Sequence, residues 1–334
     1  MKRLLTLLLT LALIISLFAG CAPKTEEEVA PTEELQKVTV ILDWTPNTNH
    51  TGLYVAKDLG YYADAGLEVE IIQPSEADAA SLIAAGKGHF GVSYQEQVTF
   101  ARTAETPLDI QAIAAVIQHN TSGFASKEEA GIVSPKNFEG NQYGGWGSPM
   151  EEATLKAMME NDNADYSKLE MVDIGALDFF AAVDTDIDFT WIFYGWDGVA
   201  AGLRDIPINF IKLQDFDPAL DYYTPVLVAS NELLESDPEL AKAFLAATQK
   251  GYEYCVSNPE EAVESLLKDA PEIDRDLAVA SQKYLANEYV SDAPRWGVMK
   301  EEVWTNYSDW LLERELIPEA LESSKAFTND YLPE

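Results

Sequence analysis

Residues 38–59 read VTVILDWTPNTNHTGLYVAKDL, and the plan of the fold is contained in that stretch. Val38 to Leu42 is a β-branched and aliphatic run of strand length, and Gly52 to Leu59 repeats its apolar residues at helical spacing. Between them lies the densest polar cluster on an apolar background, Asp43-Trp44-Thr45-Pro46-Asn47-Thr48-Asn49-His50-Thr51. A strand, a polar loop and a helix form the first half of a βαβ unit. Ligands of open α/β sheets sit off the carboxyl ends of the strands, so the loop is aimed at a crevice. Thr48 or Asn49 suits a helix cap, with the following amides facing whatever binds. Turn and cap chemistry accounts for much of the cluster, but Trp44 and His50 exceed what a cap requires. Asp43, Trp44, Asn47, Asn49 and His50 are therefore candidate ligand contacts.

The alternation continues outward. Leu67 to Ile72 reads as a strand, Ala77 to Ala85 as an Ala-rich helix and His89 to Val92 as a short strand. A second series runs from about Glu128: strand Gln142 to Gly144, helix Glu151 to Asn161, strand Leu169 to Ile174, short helix Phe179 to Val183 and buried strand Ile187 to Phe193. Alternating strands and helices predict right-handed βαβ units on largely parallel sheets. Two similar series predict two α/β lobes. Tyr222 to Ala229 reads as the strand that returns the chain to the first lobe. Helices follow over Pro238 to Cys255, Pro259 to Lys268, Arg275 to Tyr289 and Glu301 to Leu312. The expected lobes are 37–122 with 226–334, and 123–225, with crossovers near Ser122 to Ala125 and Tyr222 to Pro225.

Three further clusters stand at strand ends. Ser93-Tyr94-Gln95-Glu96-Gln97 sets a tyrosine face beside a carboxylate, suited to a flat ring with an exocyclic amine. A first-turn glutamate at a helix start reads equally as favourable charge placement. Gly144-Gly145-Trp146-Gly147-Ser148-Pro149-Met150-Glu151 is a glycine-rich turn where backbone can approach a ligand and Trp146 can wall it. Trp191-Ile192-Phe193-Tyr194-Gly195-Trp196-Asp197 brings aromatics to the end of a buried strand, where packing is the ordinary use of such rings. Tyr94, Glu96, Gly145, Trp146, Gly147, Glu151, Trp191, Tyr194 and Trp196 join the candidate set. His119 at the proposed hinge reads as a structural hydrogen-bonder. Neither a phosphate-binding GKS or GKT nor a GxSxG elbow is present, and no histidine pair or CxxC has metal spacing. No metal, cofactor or catalytic residue is expected. The inventory suits a planar, uncharged or weakly cationic ring.

The amino-terminal end reads as an address. MKRLLTLLLTLALIISLFAG, residues 1–20, has two cations and a short apolar run, as a secretory signal does. Cys21 follows the small pair Ala19-Gly20, which resembles a bacterial lipobox and implies acylation of Cys21. Residues 21–36 combine Pro, Thr and a glutamate run with few large apolar side chains, the composition of a disordered tether. Cys255 is the one other cysteine, so no structural disulfide is expected. Removing the leader takes away Lys2 and Arg3 and no acid; 22 cations become 20 against 57 acids, and the charge moves from −35 to −37. Such a surface repels nucleic acid and anionic headgroups and makes a polyanionic ligand hard to accommodate. Attachment to the outer face of the cell membrane would be through the lipid alone.

At the residues already quoted the chain resembles a known family. ILDWTPNTNHTGLYVAKDLGYY (41–62), GVSYQEQVTFAR (91–102), IQHNTSGFAS (117–126), YGGWGSPMEEA (143–153), DFTWIFYGWDG (188–198) and the closing AFTNDYLPE (326–334) look like the ThiY-like binding proteins of the thiamine-pyrimidine-synthase superfamily. The likeness covers about residues 37–334. It implies a type II periplasmic-binding-protein fold, α/β, with two lobes, a hinge and a central cleft. It also implies a monomer that feeds an ABC transporter permease, with an aminopyrimidine such as formylaminopyrimidine or hydroxymethylpyrimidine as ligand. Riboflavin is the alternative ring and an alkyl sulfonate the least suited, because the proposed loops carry no arginine. The superfamily also contains pyrimidine-precursor synthases that hold pyridoxal phosphate on a lysine and consume a histidine. Aligning Gly86-Lys87-x-x-x-Gly91 puts Ser93 at that lysine and Gln97 at that histidine, and no cysteine cluster follows. Those departures imply binding without turnover.

Overall fold

The computed structural model describes residues 34–74, 77–175 and 177–334. The signal, Cys21 and all but the last three residues of the expected tether lie outside them. Gln36, read as the end of the tether, is instead the first residue of a strand, paired with Leu67. Among the described residues no helix is long and apolar enough to cross a membrane.

Among the described residues ten strands form two five-stranded sheets. The first runs in the order β2 (Leu67–Ile72), β1 (Gln36–Ile41), β3 (Phe90–Ser93), β10 (Val226–Ser230), β4 (Ile110–Ala115). The second runs β7 (Glu170–Asp173), β6 (Gln142–Gly145), β8 (Phe189–Phe193), β5 (Ser122–Lys127), β9 (Ile208–Lys212). Both carry helices on their faces, the two-lobed α/β architecture of the type II binding-protein fold. Along β1 the side chains alternate between faces: Val38 and Val40 enter one core cluster and Ile41 another on the far side.

The sheets are mixed, not largely parallel. β1 is parallel to β2 and β3, but β10 lies between β3 and β4 and runs antiparallel to both. β5 stands likewise antiparallel between β8 and β9. The cause is topological. A strand whose chain has just arrived from the other lobe enters at the crevice and runs away from it, opposite to strands whose carboxyl ends face it.

The crossings are short and stapled together. Ser122 to Ala125, expected as the first crossover, belongs to β5, so the chain crosses at 116–121 and a lobe boundary at 122/123 cuts through a strand. The second crossing falls between two adjacent tyrosines: Tyr222 packs in the core under the second sheet and Tyr223 in one of the first. Val116 N–H donates to Pro225 O at 3.0 Å, and Asn120 donates its backbone N–H to Asp221 Oδ1 at 2.9 Å. His119 Nδ1 lies 2.7 Å from Asp221 Oδ2 and its Nε2 lies 3.2 Å from Asp292 Oδ1.

Two helices matter most for the site. Helix Pro238–Ser257 crosses helix Thr51–Asp58 at glycines: a Cβ on Gly251 would lie 2.0 Å from the Gly52 carbonyl oxygen. That contact seats the 43–50 loop. Helix Glu301–Glu313 serves both lobes, with Trp304 in a core of the first and Tyr307, Trp310 and Leu311 in the core of the second. Within 226–334, expected in the first lobe, this helix packs against both cores and Ile317 against that of the second. Trp310 Nε1–H also reaches Asp217 Oδ2, 2.9 Å away in the second lobe.

Candidate functional site

The loop after β1 is a locked structure. The Asn47 side chain accepts from Asn49 N–H at 2.9 Å, and Asn47 N–H donates to His50 Nδ1 at 3.2 Å, a reciprocal cap. With Nδ1 accepting, the ring proton resides on Nε2 and is donated to Asp43 Oδ1 at 2.6 Å. Tyr94 O–H, from the end of β3, donates to Asp43 Oδ2 at 2.9 Å. Burial alone would raise the Asp43 pKa; the adjacent His50 and the hydrogen bonds from His50 and Tyr94 outweigh it and hold the carboxyl below its ordinary range. Asp43, Asn47, His50 and Tyr94 thus come together as a scaffold, and both Asp43 oxygens are engaged within it.

A second tier fixes the loop's height. Tyr252 O–H donates to Asn49 O at 2.8 Å, and Tyr289 O–H to Thr48 O at 2.6 Å. The Thr48 hydroxyl lies 2.6 Å from that of Ser281, which in turn donates to Gly195 O of the second lobe. Asn47 and Asn49 meet Trp196 in a narrow crevice of about 20 Å³, with Thr121 and Thr224 beside them. That space suits about one water and no pyrimidine ring.

The turn after β6 owes its shape to Glu151. This carboxylate is fully buried and accepts from Tyr143 O–H at 2.5 Å, Trp146 N–H at 3.1 Å and Ser148 N–H at 2.8 Å. Expected to touch ligand, Glu151 is instead spent on the turn. Gly145 is required there, since a Cβ would fall 2.2 Å from Glu151 Oε1. Gly147 takes the left-handed conformation at φ +79°. Trp146 is left 47% exposed, its ring centroid 5.7 Å from that of buried Trp191 at 57°. Beside the turn, at the carboxyl ends of β6 and β7, is a cavity of about 270 Å³ bordered by Gly145, Ser148, Glu152, Met171 and Asp173.

Glu96 sits in the first turn of helix Gln95–Thr103. Burial and then the charge of Glu151 push its pKa up to about 7. Its carboxylate has no protein hydrogen-bond partner among the described residues, although Gln95 beside it is fully engaged with Tyr223 N–H and Val303 O. Ser93 O–H donates to Gln97 Oε1 at 2.6 Å, so the two side chains form one pair.

The six aromatic candidates differ in their surroundings. Trp146 pairs with Trp191, Trp196 lines the narrow crevice, and Tyr94 serves Asp43. Tyr194 packs between Phe210 and Tyr284, with centroids at 4.9 and 5.4 Å. Trp44 is 54% exposed. The supports supplied by Ser281, Tyr252 and Tyr289 carry no local signal, because in sequence each reads as one more residue on an amphipathic helix.

The family model described as NMT1/THI5 like matches residues 47–262. The formylaminopyrimidine-binding protein of Halalkalibacterium halodurans is 29% identical over 96% of this chain and 98% of its own length. The 4-amino-5-hydroxymethyl-2-methylpyrimidine phosphate synthase of Legionella pneumophila is 24% identical over 89% of this chain and 93% of its own. Among solved structures, the periplasmic aliphatic sulphonate-binding protein SsuA of Escherichia coli superposes with a TM-score of 0.68 at 14% identity, covering 90% of this chain and 94% of that one. With more than half of its residues matched by one family model, this chain is a member of the NMT1/THI5-like family.

Proposed function

We propose that this chain is an extracytoplasmic solute-binding protein of an ABC importer, anchored through Cys21, that captures a thiamine pyrimidine precursor of the formylaminopyrimidine or hydroxymethylpyrimidine type. The observation that carries the reading is Glu96, a partly buried carboxylate without a protein partner, in the field of Glu151 on the opposite lobe. A 4-aminopyrimidine offers an exocyclic N–H donor beside a ring nitrogen. A carboxyl that titrates near 7 can accept from the amine while sharing one proton with that nitrogen. Trp146, half exposed, supplies a face for the ring, a stack contributing about 0.5 to 1.5 kcal/mol beyond burial. In this reading the lobes stand apart to admit the ligand and then close around it, as hinged two-lobed folds do. The closed form presents a monomer to the permease.

The chain acts without turnover in this reading. Ser93 and Gln97 hydrogen-bond each other and supply neither a Schiff-base amine nor an imidazole. Isothermal titration of the signal-less protein with formylaminopyrimidine tests the proposal. The expected result is one site per chain with a rise in melting temperature, and at least tenfold weaker binding in Trp146→Ala. Absence of both heat and thermal shift in the wild-type protein would overturn the ligand assignment.

A further inference from the structure

Helix Glu301–Glu313 carries a polar group that the scaffold leaves unused. Tyr307 is fully buried, its ring 4.3 Å from that of Tyr222, and its hydroxyl has no protein hydrogen-bond partner among the described residues. An orphaned buried hydroxyl costs about 1 to 3 kcal/mol, and native structures rarely keep one without a use.

Its position points to the use. Gln95 Nε2–H donates to Val303 O, so the first turn of helix Gln95–Thr103 is pinned to helix Glu301–Glu313 one turn before Tyr307. Phe100, four residues after Glu96 and hence on the same helical face, packs into the cluster that contains Tyr307. The charge of Glu96 is felt at both Tyr222 and Tyr307. A second buried donor without a partner, Trp191 Nε1–H, belongs to the same cluster. Among the described residues Glu96 is thus an acceptor without a protein donor, and Tyr307 and Trp191, in one core cluster with Phe100 of the Glu96 helix, are two donors without a protein acceptor.

We infer that the Tyr307 hydroxyl is a ligand-recognition group: Glu96 takes the ligand's donor edge, while Tyr307 and Trp191 donate to an acceptor on its opposite edge. The inference rests on the reading of this region as the aminopyrimidine site and narrows the ligand class. A ring that carries both an exocyclic amine and an outward acceptor, such as a carbonyl oxygen or an unprotonated ring nitrogen, satisfies all three groups. A ring with donors alone leaves Tyr307 and Trp191 unpaired and is discriminated against.

Tyr307→Phe removes one oxygen and keeps the ring. Urea unfolding of the ligand-free protein and calorimetry with formylaminopyrimidine and with riboflavin test the assignment. The expected result is an unfolding midpoint equal to or above that of wild type, with affinity lowered about tenfold for whichever ring the wild type binds. Unchanged affinity, or weaker binding accompanied by a lower midpoint, assigns Tyr307 to packing and overturns the inference while leaving the ring-binding reading intact. A wild-type protein that binds neither ring overturns the functional reading itself, and this inference with it.

Discussion

Glu96 and Glu151 belong to different lobes and confront one another as carboxylates, one without a protein partner and the other held by three donors. Burial and the Glu151 charge together raise the Glu96 pKa from 4.5 to about 7. The fold therefore tolerates an unfavourable ionised group at the place where a ligand donor would relieve it.

That cost should appear in the pH dependence of stability. The folded-state pKa of Glu96 lies above the unfolded value, so the folded state binds more protons between about 4.5 and 7. Its contribution is fully present below 4.5 and lost as pH rises through 7, on the order of 3 kcal/mol in total. Glu96→Gln should flatten this slope. In urea titrations it should be more stable than wild type at pH 8 and nearly equal at pH 4.5, while binding formylaminopyrimidine at least tenfold more weakly. Parallel stability profiles for the two proteins would refute the assignment.

Asp43 predicts the opposite behaviour. Its carboxylate holds His50 and Tyr94, and its folded pKa is lowered, so its stabilisation is present above the ordinary value of 3.8 and lost as pH falls through the lower folded value. Asp43→Ala strands the donors of His50 and Tyr94 and should cost about 2 to 4 kcal/mol at pH 7. Denaturant midpoints at pH 7 and pH 2.5 check this, with the difference expected to shrink in acid.

The glycine crossing makes a steric prediction. Gly251→Ala would set a methyl 2.0 Å from backbone at Gly52, and a helix cannot swing aside as a side chain would. The two helices must separate, at about 3 kcal/mol or more. Because the displaced helix begins immediately after the 43–50 loop, ligand affinity should fall as well. A variant with wild-type stability would mean that the crossing is looser than the coordinates show.

His119 ties the first crossing to the second and to the segment ahead of helix Glu301–Glu313. Its hydrogen bond to Asp221 raises its pKa against the opposing effect of burial, and Asp292, itself paired with Lys300, adds to the rise. The contribution is complete below 6.5 and fades as pH climbs through the raised value. His119→Ala should therefore be less stable than wild type at pH 5.5, with the gap narrowing by pH 9. A gap independent of pH would show that packing rather than charge is responsible.

Much of the framework was legible from local periodicity. The strand Leu67–Ile72 and the helix Phe179–Val183 have the bounds that their apolar patterns predict, and the polar strand-end loops stand where open-sheet logic puts them. Local pattern failed for β5, Ser-Gly-Phe-Ala-Ser-Lys, which has neither β-branched residues nor alternation. It is a strand because β8 and β9 flank it on both sides, and pairing partners nearly seventy and ninety residues away leave no local trace. β4 and β9 were missed as well.

Sequence by itself determined the class of architecture and the kinds of side chain available: aromatics, amides and acids at strand ends. Only the tertiary structure decided which of them are supports and which are free. Asp43 and Glu151 are consumed by neighbours; Glu96, which the sequence sets beside Tyr94, and Tyr307, which reads there as an ordinary helix residue, have no protein hydrogen-bond partner among the described residues. The reason is physical: a hydrogen bond depends on where donors and acceptors lie in space, and these are brought together by two crossings and a shared helix that no short window of sequence can see.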